Sequence, residues 1–74
     1  MSDNTITVKI NTPFIYLVQF LKIAGICATG GEAKYRIDQE DVQVNDAICI
    51  QKKRRLTSGD RVRIGGQIYQ VKNE

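Results

Sequence analysis

The side chains best placed to do chemistry are four consecutive bases, Lys52-Lys53-Arg54-Arg55, out of eleven Lys and Arg in the chain. Four like charges in a row repel one another unless an anion relieves them, which points to a partner carrying phosphate or carboxylate. In an extended segment alternate side chains point opposite ways, so the four can address one partner only from a bent stretch. The signals around them predict such a mobile basic loop. Taken alone, the run is also compatible with a solubilising surface loop.

A second candidate is the step Thr29-Gly30-Gly31 ahead of a short helix. A helix start exposes unpaired N–H groups and the positive end of the dipole, and glycine lets a phosphate approach the backbone. Thr29 would add a hydroxyl, and Lys34 a charge one turn in. The alternative is that the glycines only permit a sharp turn between helices. Lys22 lies off the apolar stripe of the preceding helix, near its end. Arg36 falls close to an inward face, so its stem packs while its head reaches solvent; it ranks below Lys34 as a contact.

Other chemistries find little support. The chain has no histidine, the commonest general base and metal ligand. Asp38, Glu40 and Asp41 are close in sequence but read as a solvated helix edge. Cys27 and Cys49 form no CxxC pair and read as reduced, half-buried thiols. Neither an enzyme, a metal site nor a cofactor is expected. The aromatics Phe14, Tyr16, Phe20, Tyr35 and Tyr69 sit mostly at core spacing and offer no base-stacking platform. Recognition would then rest on phosphates and shape.

The elements that must position these residues follow from periodicity. Ile6, Val8 and Ile10 alternate with polar residues, as in a half-buried strand. Thr12-Pro13 reads as a helix start, with Phe14, Leu17, Val18, Leu21 and Ala24 at the 3.6 period and Gly25 as the stop. A second helix is expected over 32–39, with Ala33 and Ile37 inward. Val42–Val44 and 47–50 form a hairpin about Asn45-Asp46, residues that tolerate positive φ. Ser58-Gly59-Asp60 is a turn. Val62 and Ile64 alternate with Arg61 and Arg63, Gly65-Gly66 is a hairpin turn, and 67–71 returns as the last strand. The order strand, helix, helix, then short strands predicts an α+β domain: two helices on a small, mostly antiparallel sheet of about four to five short strands.

With 74 residues, 42% of them apolar, the chain reads as one globular domain, with its core at about 6–71 and frayed ends at 1–4 and 72–74. No apolar stretch approaches the ~20 residues of a membrane span, and the N-terminus lacks the pattern of a secretory signal; cytoplasm is the expected location. Net charge is +3, but it is segregated: residues 37–50 hold only acids, whereas 51–64 hold six bases and one acid, Asp60.

Phe20-Leu21-Lys22-Ile23-Ala24-Gly25, followed by Ala28-Thr29-Gly30-Gly31-Glu32-Ala33-Lys34, resembles the S4-type RNA-binding domain, and within it the short stand-alone bacterial members of the YaaA/YbcJ type. Val42-Gln43-Val44-Asn45, the basic run and Leu56-Thr57-Ser58-Gly59-Asp60 match its later pieces, so the likeness covers about residues 6–66. It implies the αL fold and a non-catalytic module that binds structured RNA, with ribosomal RNA the expected partner; nothing in the sequence suggests a dimer, and a monomer is expected. Its RNA-binding surface falls on Lys22, Thr29, Gly30, Gly31, Lys34 and the loop Lys52, Lys53, Arg54, Arg55, with Arg36 as a lesser candidate. The chain departs from the pattern at Glu40, where the family tends to glycine, and at Asp46-Ala47, where it tends to Gly-Glu, so both turns are expected to be altered. The alternative function is a protein-interaction module that docks an acidic partner through loop 52–55.

Overall fold

In the computed structural model, which describes residues 4–74, β1 (Thr5–Ile10) comes first, and a short strand β2 (Ile15–Tyr16) leads into α1 (Leu17–Ile23). Then come α2 (Gly30–Asp38), β3 (Val42–Val44), β4 (Ala47–Ile48), β5 (Arg55–Leu56), β6 (Arg61–Ile64) and β7 (Gln67–Asn73). Five strands form one sheet in the order β1-β7-β6-β3-β4, in which only β1–β7 is parallel. β2 and β5 form a separate antiparallel pair. The α+β class with two helices on a mostly antiparallel sheet is therefore what the sequence predicts.

One apolar cluster joins the helices to the inner sheet face. Leu17, Phe20 and Leu21 of α1 and Ala33 and Ile37 of α2 meet Val42, Val44, Val62, Ile64 and Val71. Cys27 and Cys49 are free and buried rather than half-buried. Burial pushes the Cys27 thiol up, Glu32 adds to the rise, and Arg36 opposes it.

The first helix is shorter than Thr12-Pro13 suggests. Residues 11–13 make a bend, and the Thr12 hydroxyl donates to the Phe14 carbonyl at 2.7 Å instead of capping a helix. β-branched Ile15 pairs with Leu56. The helix therefore starts at Leu17, and Phe20 joins its buried face. Residues 72 and 73 belong to β7, and the Glu74 N–H donates to the Ile10 carbonyl at 3.0 Å, so this end is held rather than frayed. At the other end, residues 1–3 lie outside the described residues, and Asn4 is exposed coil.

Both helices end in the same way. After α1, the Gly25 N–H bonds the Lys22 carbonyl and the Ile26 N–H bonds the Leu21 carbonyl, with Gly25 at φ 78°. After α2, Glu40 bonds Ile37 and Asp41 bonds Arg36, with Glu40 at φ 62°. Both are Schellman closures, which need a left-handed residue just past the helix. The turn at Glu40 is thus unaltered, and a side chain occupies a position that favours glycine. Glu40→Gly is expected to stabilise the chain by about 1 kcal/mol, raising Tm by about 4–8 °C in thermal unfolding.

The Asn45-Asp46 turn also keeps positive φ, at 52° and 70°. The Asn45 side chain ties it to the 57–61 segment. Its Oδ1 accepts from the Arg61 N–H at 3.0 Å, and its Nδ2 donates to Asp60 Oδ1 at 3.3 Å. Asp60 Oδ2 accepts in turn from the Thr57 N–H at 2.8 Å. One side chain thus staples the hairpin and the other closes the turn. Asn45→Ala removes two hydrogen bonds and the tolerance of positive φ, and should cost about 1–2 kcal/mol in chemical denaturation.

Candidate nucleic-acid interface

The basic run forms a turn bonded to its neighbours. Residues 52 and 53 make the turn, and Arg55 already lies in β5. The first N–H groups of α1 have no partner inside their own helix. The run supplies them: the Leu17 N–H donates to the Arg54 carbonyl at 2.9 Å and the Val18 N–H to the Lys52 carbonyl at 3.1 Å. On the other side, Lys52 Nζ pairs with Asp38 Oδ1 of α2 at 3.5 Å. The turn is therefore bonded to both helices.

Within the run the four bases are not equivalent. Lys52 shares its charge with Asp38, and the Arg55 guanidinium lies over the Phe14 ring at 4.9 Å. Lys53 and Arg54 are exposed and make no ion pair among the described residues. Lys34 stands one turn before Asp38 on α2, so it shares the flank that Asp38 offers to Lys52. Lys22 is exposed in the last turn of α1. Arg36 is committed elsewhere: its Nε donates to Asp41 Oδ2 at 3.1 Å, bracing the closure of α2.

Gly30 and Gly31 are the first two residues of α2 rather than the turn before it, and Thr29 is its N-cap. The Thr29 Oγ1 accepts from the Glu32 N–H at 3.1 Å, and Glu32 Oε1 accepts from the Ala28 N–H at 2.9 Å. The hydroxyl is thus already a cap, and Glu32 brings a negative charge to the same end. Neither glycine has positive φ. A methyl group would meet nothing within 4 Å at Gly30, and at Gly31 only the Thr29 Oγ1 at 3.9 Å. Neither backbone conformation nor internal crowding requires these glycines, and the space outside them is open.

Tyr35 is 62% exposed. On α2 it lies opposite Ala33 and Ile37, so helical spacing places its ring outward beside Lys34. Among the other aromatics, Phe14 and Tyr16 pack edge to face at 5.4 Å. Among the described residues, no cluster of His, Cys, Asp or Glu could hold a metal, and no helix is long and apolar enough to cross a membrane.

A helix pair on a mostly antiparallel sheet, with a basic turn bonded to both helices, defines an αL-type module. The S4 domain model matches residues 8–72, and the chain belongs to that family. It is 41% identical over 59 residues to the "Probable ribosome maturation protein RlbA" of Bacillus subtilis, covering 80% of this chain and 83% of that one. The solution structure of YbcJ from E. coli, whose αL motif is described as involved in RNA-binding, is similar with a TM-score of 0.66. The identity there is 26%, with 97% of this chain and 90% of that chain covered.

Proposed function

We propose that this chain is a non-catalytic RNA-binding module that grips structured RNA, ribosomal RNA foremost, by phosphate contacts and shape. The observation that carries this reading is the basic turn bonded to α1 through its carbonyls and to α2 through Lys52 and Asp38. On this reading Lys53 and Arg54 act together with Lys34 and Lys22 on the helical side. Gly30 and Gly31 leave room there for a phosphate at the start of α2. Lys52 and Arg55 contribute from within their pairings, Thr29 holds the helix start in shape, and Arg36 serves mainly the fold. Tyr35 offers one ring on which an unpaired base can lie. Membership of the S4 domain family, a relative named for ribosome maturation and a structural neighbour with an RNA-binding motif support the same reading. On this reading the molecule works in the cytoplasm, and as a monomer, because one chain carries every base of the site.

The test is a titration of ribosomal RNA fragments at several salt concentrations. Four to six phosphate contacts give a slope of log K against log salt of roughly −3 to −5. A slope near zero, or no binding at low salt, would sink the reading.

A further inference from the structure

The strand register assembles four bases that the helical side does not use. In β6, β7 and β1, alternate residues face opposite sides of the sheet. The inward set includes Val62, Ile64, Val71 and Ile10, all buried in the core that the helices cover. The outward set includes Arg63, Arg61, Lys72 and Lys9, all exposed. Arg61 stands opposite Gln70, Gln70 opposite Thr7, and Lys72 opposite Lys9. Strand rise and spacing place the four bases on a diagonal track ~17 Å long, in steps of ~5–8 Å.

This track contains no acid. β1, β6 and β7 have neither Asp nor Glu. Glu74 stands just beyond β7, and none of the four bases makes an ion pair among the described residues. The carboxylate of Asp60 is occupied by Thr57 and Asn45. Lys72 and Lys9 are like charges in register on one face, an arrangement that destabilises a sheet. An anion between them turns repulsion into attraction. The side chains interleaved with the bases are Thr5, Thr7, Gln43, Gln70 and Ile68, and the polar ones are donors of the kind that bond phosphate and sugar oxygens. A shallow cleft lined in part by Thr7, Gln70, Lys72 and Ser58 opens within the track. A protein partner would need a broad apolar centre, whereas the apolar side chain within the track is the half-buried Ile68, set among bases and amides.

We propose that the outer sheet face is a second RNA-binding surface, so that one molecule bridges two RNA segments, one on the helices and one on the sheet. The bridging rests on the RNA-binding reading of the helical side. Two RNA hairpins of unrelated sequence, one carrying a donor and one an acceptor fluorophore, are mixed with the full chain. The wild type should give energy transfer and a slower gel band holding both RNAs. Its second binding step should weaken with salt at a slope of about −3, from four contacts. The variant Lys9→Gln/Arg61→Gln/Arg63→Gln/Lys72→Gln should bind one hairpin with near wild-type affinity and lose the transfer. Its Tm should equal or exceed that of the wild type, because the Lys9–Lys72 repulsion is gone. A wild type that forms only one-to-one complexes overturns the proposal and leaves the helical-side reading standing, as does transfer that survives in the sheet variant. A sheet variant that binds no RNA, beside a Lys53→Ala/Arg54→Ala variant that binds normally, overturns both. So does a wild type that binds no hairpin.

Discussion

Lys53→Ala/Arg54→Ala should weaken RNA binding by roughly 30-fold near 0.1 M salt and make the salt slope about 2 units shallower. Each phosphate contact releases about 0.7–0.9 counterions, which near 0.1 M salt is a factor of about 5–8. Two contacts multiply. The matched variant Lys52→Ala/Arg55→Ala removes the same formal charge but should cost less affinity. Lys52 already shares its charge with Asp38, and Arg55 lies over Phe14. A generic basic loop would respond equally to either pair, because charge alone would matter. The comparison, made by fluorescence anisotropy across a salt series, therefore tests whether the bonded geometry of the turn selects which bases reach RNA. Equal losses in the two variants would return the run to a diffuse patch.

Much of this architecture was legible in the sequence because it rests on local patterns. Period two marked β1 and β6, and the Asn45-Asp46 and Gly65-Gly66 turns follow from residues that accept positive φ, with Gly65 at 61° and Gly66 at 81°. The missed features depend on contacts between distant residues. β2 and β5 are each two residues long and exist because Ile15 and Tyr16 meet Leu56 and Arg55 across the chain. No local window signals such a pair. Without it, Thr12-Pro13 looked like the helix start, and the capping carbonyls of Lys52 and Arg54 were invisible. The inequality of the four bases has the same origin, since Asp38 and Phe14 are remote in sequence. Helical spacing sets Arg36 near an inward face, whereas its partner is Asp41, five residues on and across the Schellman closure. The outward bases Arg61 and Arg63 were visible as an alternation. Lys72 joins them through the antiparallel register of β7 on β6, and Lys9 only through the parallel register of β1 on β7.

Leu56→Ala should be the most damaging single change considered, with a loss of about 2–5 kcal/mol in denaturant unfolding. Leu56 is fully buried and pairs with Ile15. A domain of this size has a total stability of about 4–11 kcal/mol, so the change removes a large part of it. Its effect on function should exceed what unfolding explains. Leu56 directly follows the basic run, and β5 anchors one end of the turn whose carbonyls cap α1. With that anchor loosened, Lys53 and Arg54 must be ordered when RNA binds, which lowers affinity even for the molecules that remain folded. Leu56→Met separates the two effects, because a volume-conserving swap should cost less than about 1.5 kcal/mol and keep the anchor. RNA titrations at low temperature, corrected for the folded fraction, should show weakened binding for Leu56→Ala and near wild-type binding for Leu56→Met. If the corrected affinity of Leu56→Ala equals that of the wild type, the β2–β5 pair serves stability alone and the turn needs no anchor to meet RNA.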